Sequence, residues 1–174
     1  GICNNPNITM EMIEKYPDKE WRWSGISPCM KLTVNLLREY AEKPWDFDFM
    51  NMGNPSITME LLLATPDFPW DYDWLSYNKC LTVNIVLALP DKNWDWIGVS
   101  SNKGITISDI ESHIDLPWDW DCGVGRNPNL RIYDIEKYPD KVWDWNDLFI
   151  NYSVFNPDDY IDQWLCKYSV ISMH

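Results

Sequence analysis

The stretch Thr82–Trp94, TVNIVLALPDKNW, sets out in order a threonine, an apolar run, a proline, an aspartate and a tryptophan. The same order recurs down the chain, with twelve positions between anchor and tryptophan each time: Thr9/Trp21, Thr33/Trp45, Thr58/Trp70, Thr82/Trp94, Thr106/Trp118 and Arg131/Trp143. Successive units start 24 or 25 residues apart, a period typical of stacked-repeat architectures. The six tryptophans at fixed phase are expected to form a structural ladder through one continuous core.

Within a unit the threonine suits a helix N-cap, its hydroxyl accepting from a backbone N–H of the first turn. The residue before it and the residue four after it are apolar in all six units: Ile8/Ile13, Leu32/Leu37, Ile57/Leu62, Leu81/Val86, Ile105/Ile110 and Leu130/Ile135. That is the spacing of a hydrophobic staple. Apolar residues three, four and usually seven after the anchor give one face of a short helix. Pro17, Pro66, Pro90 and Pro139 are expected to stop it, because proline cannot continue the ladder. The second and fifth units have Ala41 and Ile114 there, which predicts longer helices in those two.

A second, shorter helix is expected next. Asp18, Glu42, Asp67, Asp91, Asp115 and Asp140 stand at one position of the unit, and five of these six are of N-capping type. The following aromatic pairs, such as Trp94/Trp96 and Trp70/Tyr72, would also fit a strand, being two apart. Asn54-Pro55 and Asn127-Pro128 read as the turns that close a unit.

The fold class that follows is all-α: a solenoid of six helical hairpins over residues 1–155, capped by a C-terminal helix over 156–174. Each hairpin is too short to fold alone, so each must lay its apolar face on the next. In the last segment Asn156 falls 25 residues after Arg131, and Trp164 replaces the stop proline. A β-propeller shares the Trp-Asp dipeptide but needs about twice the period, and a leucine-rich repeat needs an LxxLxL strand that is missing. Gly1-Ile2-Cys3 stands eight before Thr9 as Gly25-Ile26-Ser27 stands eight before Thr33. That predicts a fragment or processed product of a longer array.

A net charge of −13 argues against direct nucleic-acid binding, where cations must neutralise phosphates, and against an anionic membrane surface. The five cysteines fall at scattered unit positions with no CxxC pair, so reduced thiols are expected rather than a disulfide framework. No stretch reads as a signal peptide or a membrane span.

The combined pattern Asn5-Pro6-Asn7-Ile8-Thr9, Tyr138-Pro139-Asp140-Lys141 and Trp143-Asp144-Trp145 resembles the tandem Trp- and Pro-containing repeats of giant, mimivirus-like DNA viruses. The resemblance spans residues 1–155. It implies a viral repeat protein and brings no catalytic activity with it; the setting it implies is the virion or the host cytoplasm around the viral factory. Departures are Arg22 between two tryptophans, Ser27-Pro28-Cys29-Met30 for the Asn-Pro turn, and Gly123-Val124-Gly125 in the fifth unit.

No residues form a recognisable catalytic, cofactor or metal set. His113 takes the place of Tyr16, Tyr40 and Tyr138 and reads as packing. The pairs Asp46/Asp48, Asp71/Asp73 and Asp119/Asp121 lack the spacing of a calcium loop. Gly123-Val124-Gly125 lacks the lysine and the strand of a phosphate loop. One surface feature stands out. Five and six residues after the anchor the outer units are mainly polar, whereas the third and fourth carry Leu63, Ala64, Leu87 and Ala88. These four form a candidate interaction patch. The chain is therefore expected to be a non-enzymatic scaffold that binds protein partners or itself; the alternative is an acidic decoy that sequesters a basic partner.

Overall fold

The computed structural model describes residue 5 and residues 7–155. The expected capping helix over 156–174, the opening Gly1–Cys3, Cys166 and His174 lie outside the described residues. Among the described residues the chain is helical throughout with no strand, as the periodicity predicts.

The first helix of each unit is six residues long: α1 Met10–Lys15, α3 Val34–Glu39, α5 Met59–Ala64, α7 Val83–Ala88, α9 Ile107–Ser112 and α10 Ile132–Lys137. The second elements are α2 Trp23–Ile26, α4 Phe47–Gly53, α6 Tyr72–Leu75, α8 Trp96–Ser101 and α11 Trp145–Ile150. In the fifth unit a 3-10 turn over Val124–Arg126 takes that place.

Thr9, Thr33, Thr58 and Thr106 each cap with their hydroxyl, accepting from the N–H three residues on. Thr82 makes no such bond. Asp109 completes a capping box by accepting from the Thr106 N–H at 2.8 Å. Asp134 does the same for Arg131 at 2.8 Å, which satisfies an orphan donor where arginine has no acceptor to offer. All twelve staple residues are buried, so the first helix enters each unit at a fixed angle.

Two expectations about helix boundaries are corrected. The second and fifth units, lacking the proline, have first helices no longer than the rest. The reason is the tryptophan. In every unit the indole N–H donates to the carbonyl of the helix C-cap five residues earlier: Trp21 to Tyr16, Trp45 to Tyr40, Trp70 to Thr65, Trp94 to Leu89, Trp118 to His113 and Trp143 to Tyr138, at 2.8–3.1 Å. The same carbonyl takes a backbone N–H three residues on, closing a turn. Both lone pairs are then used, and the chain leaves the helix whether or not proline follows.

The second correction concerns the N-cap of the second helix. The acidic residues Asp18, Glu42, Asp67, Asp91, Asp115 and Asp140 sit in or beside that turn. The caps are Asp46, Asp71, Asp95 and Asp144, directly after the first tryptophan, and each accepts from an N–H of the first helical turn. Asp119 accepts instead from Cys122 and Gly123 at 2.8 and 2.7 Å. Gly123 lies so close to Ser100 that a Cβ there would approach the serine Cβ to 2.6 Å, so a larger residue would not fit without a shift.

Successive units are joined by a row of asparagines, buried at Asn54, Asn78, Asn102 and Asn127 and half-buried at Asn151. Asn54 donates its side-chain amide to Ser27 O and Met30 O at 2.7 and 2.8 Å. Asn78 does so to Asn51 O and Asn54 O at 2.7 and 3.2 Å, and Asn102 to Ser76 O and Asn78 O, both at 2.9 Å. Asn127 reaches Ser100 O, Asn102 O and Ile105 O. Asn151 reaches Gly125 O and Asn127 O, both at 2.9 Å. Each side-chain oxygen accepts from the N–H two residues on. The amide thus satisfies the carbonyls left open at the end of the preceding unit's second element.

Serines add a second bond across each junction where they occur. Ser27, Ser76 and Ser100 accept from the N–H of Asp46, Asp95 and Asp119 at 2.9–3.0 Å. One apolar cluster runs from Ile8 to Val154, and ring edges meet across the junctions: Trp23 on Trp45, Tyr72 on Trp94, Trp96 on Trp118 and Trp120 on Trp143, with centroids 5.0–5.5 Å apart and planes 80–88° apart. This edge-to-face geometry suits the ring quadrupole.

Candidate functional site

The patch expected from sequence lies on the helices α5 and α7, which pack against each other. Leu63 and Leu87 are 50% and 39% exposed. Ala88 is exposed as well, whereas Ala64 is half-buried. Local periodicity explains this: Leu61, Leu62, Ile85 and Val86 fill the core side of the same helices, so the next residue round must face out. The patch has a polar edge on one side, where the Arg38 guanidinium donates to the Ala64 carbonyl at 3.1 Å. Beside it an open groove of about 460 Å³ is lined by Leu37, Ala41, Pro66 and Phe68 among others.

Farther along the chain the equivalent helix positions are polar: Glu111 and Ser112, then Glu136 and Lys137. Lys137 pairs with Glu111 between α10 and α9. The hydrogen bond from Lys137 holds the Glu111 carboxyl below its usual range, against a smaller opposing effect of burial.

A second exposed row was not foreseen from sequence. Phe49 on α4 and Trp74 on α6 each stand three residues after a cap aspartate, on helices that pack together, and they are 51% and 42% exposed. Near them Tyr77 donates its hydroxyl to Asp95. Its ring packs close to Gly98, where a Cβ would approach Tyr77 Cε2 to 2.8 Å. That hydrogen bond, helped by burial, pushes the Tyr77 hydroxyl up to about 12. Trp74 escapes a reading based on the fixed phase of the twelve-residue spacing; the signal that finds it is its count from Asp71.

Of the ladder tryptophans, Trp45, Trp70, Trp94 and Trp118 are buried, while Trp21 and Trp143 are half-buried. Their N–H groups are taken by C-cap carbonyls. His113 caps α9, with Nδ1 3.0 Å from Asp109 O and its own carbonyl accepting from Trp118. Asp46, Asp71 and Asp119 spend their carboxylates on backbone N–H groups. Among the described residues no cluster of three or more His, Cys, Asp or Glu is placed to hold a metal ion. Cys29, Cys80 and Cys122 are unpaired; burial, ahead of the nearby carboxylates of Asp121 and Asp119, raises the Cys122 thiol. No described helix is long and apolar enough to cross a membrane.

Comparison with protein-family models, with curated proteins and with solved structures finds no match to this chain.

Proposed function

We propose that this protein is a non-enzymatic scaffold: a solenoid of six stacked helical hairpins over residues 1–155, followed by a capping segment over 156–174, that binds a protein partner through Leu63 and Leu87. The observation that carries the reading is the pair of exposed leucines on adjacent helices, in the one region where neighbouring units present apolar residues at positions that are charged elsewhere. Repeat folds present such surfaces as extended binding faces, and contiguous exposed apolar area marks interaction sites. The hydrogen bonds that recur between units at separations of 24 to 27 residues support the stacking. The motif resemblance supports a role in a giant DNA virus, in the virion or the host cytoplasm.

The test is affinity capture from infected cells with the double variant Leu63→Glu/Leu87→Glu. Captured protein should be lost while the circular dichroism and melting curve of the variant stay as in the parent. A variant that unfolds would show the leucines to be core. Capture that persists in the variant but disappears at high salt would favour the acidic decoy reading, since screened contacts weaken with ionic strength.

A further inference from the structure

Like units make departures from the pattern readable, and three of them meet where the second unit adjoins the third. Eight residues after the anchor, Ala41 stands where four other units have proline. Six after it, Ala64 stands where the first, second and sixth units have Lys15, Glu39 and Lys137. Ten after it, Phe68 stands where four units have lysine. Two of those lysines, Lys92 and Lys141, lie over the rings of Tyr72 and Trp120, 5.2 and 4.7 Å from the centroids. Phe68 instead packs its ring on Phe47 and Trp70, with centroids 5.4 and 5.1 Å away. Two short side chains and one held ring thus replace longer or charged groups. Together with Leu37 and Pro66 they line the open groove of about 460 Å³ beside Leu63, a volume that suits a bound ligand group.

The groove carries one charge of each sign, Arg38 from the second unit and Asp67 from the third, and both are exposed. Arg38 is the one cation five residues after an anchor, a place held elsewhere by glutamate or leucine. Its guanidinium is held by the bond to the Ala64 carbonyl at 3.1 Å. The remaining donors of that planar fork suit a carboxylate. A ligand of a single charge sign would be attracted at one of these residues and repelled at the other.

We propose that this groove takes the anchor residue of the protein partner: a peptide segment that buries one large apolar side chain between Ala41, Ala64 and Phe68, with a carboxylate on Arg38 and a cation beside Asp67. The proposal rests on the reading of Leu63 and Leu87 as a docking face and names the chemistry that the partner brings to it. A single anchor in a pocket, ringed by weaker contacts, is how such faces concentrate their affinity.

Selection from a random peptide library displayed on phage, against the purified full chain, tests it. Enriched peptides should share a large apolar residue with an acidic residue on one side and a basic residue on the other. A synthetic peptide of the enriched sequence should bind about tenfold more weakly, by calorimetry, to Ala41→Trp, which fills the groove, and to Arg38→Glu. Both variants should keep the parent's circular dichroism spectrum. Replacing the peptide's acidic residue by lysine should restore its affinity for Arg38→Glu, a recovery that a misfolded variant would not show. No enrichment, enrichment of uniformly basic peptides, or affinity indifferent to both variants overturns the proposal. Enriched peptides that match a stretch of residues 156–174 overturn it too, by giving the groove to this chain itself. Affinity lost in Leu63→Glu/Leu87→Glu but kept in Ala41→Trp overturns the groove and leaves the docking face standing. The converse keeps the groove and removes the leucines from that face.

Discussion

The side-chain amide of Asn102 donates to the backbone carbonyl of Asn78 at 2.9 Å, and Asn78 repeats the act on Asn54 at 3.2 Å. Each rung is thus donor to the unit before it and acceptor for the unit after it. All three asparagines are buried, where an unmade hydrogen bond costs more than a made one contributes.

Asn102→Asp should therefore be among the most damaging isosteric changes in the chain. It removes two donated bonds and sets a carboxylate against the carbonyls of Ser76 and Asn78. A loss of about 2–4 kcal/mol is expected, read from the urea midpoint at unchanged slope. A loss below about 0.5 kcal/mol, the level of an ordinary surface change, would remove the rung from the account of stability.

Asn51 is the complementary case. Counted from the cap aspartate it stands where Ser76 and Ser100 stand, yet both its side-chain nitrogen and its oxygen are buried without a hydrogen-bond partner. Asn51→Ser shortens the side chain and supplies the hydroxyl that accepts from the next cap residue at the other junctions. The variant should gain about 1 kcal/mol, visible as a higher melting temperature; a lower one would mean that the amide fills space the serine leaves empty.

Helix termination gives a paired prediction. Pro90→Ala should leave α7 at its present length, because α3 and α9 end at the same point without a proline. Trp94→Phe keeps a ring in the core but leaves the Leu89 carbonyl without the indole N–H that it holds at 2.9 Å. That variant should cost about 1–3 kcal/mol. Hydrogen exchange at the N–H groups following Leu89 would distinguish the two, with faster exchange expected in Trp94→Phe alone.

Tyr77 should be among the last tyrosines to ionise. Its hydroxyl is raised to about 12 by the Asp95 carboxylate, so the folded value lies above the unfolded one. The stabilisation is complete below the unfolded value, near 10, and is lost as pH rises toward 12. Asp95→Asn keeps a capping side chain and removes the negative charge. In a phenolate absorbance titration it should bring one late-titrating group back among the others. No change in the curve would count against the Tyr77–Asp95 bond.

What could be read in the sequence was what lies within one unit. The anchor, the staple and the apolar face sit within eight residues, and a helix imposes its period on neighbours that close; Ile105 and Ile110 are therefore core by pattern alone, and Leu63 and Leu87 are outward by the same pattern. The register of one unit on the next was not legible, because the acceptors of Asn54, Asn78 and Asn102 lie 24 to 27 residues away, and an asparagine before a turn looks the same whether its amide faces water or a buried carbonyl. The helix ends were misread for a related reason. Proline is a local stop, visible in the chain, whereas the indole of Trp45 reaches back to Tyr40 only once the turn between them has formed. Sequence by itself determined an all-helical chain of like units; only the tertiary structure decided which polar groups lock those units together, since satisfying a buried carbonyl depends on what is brought beside it.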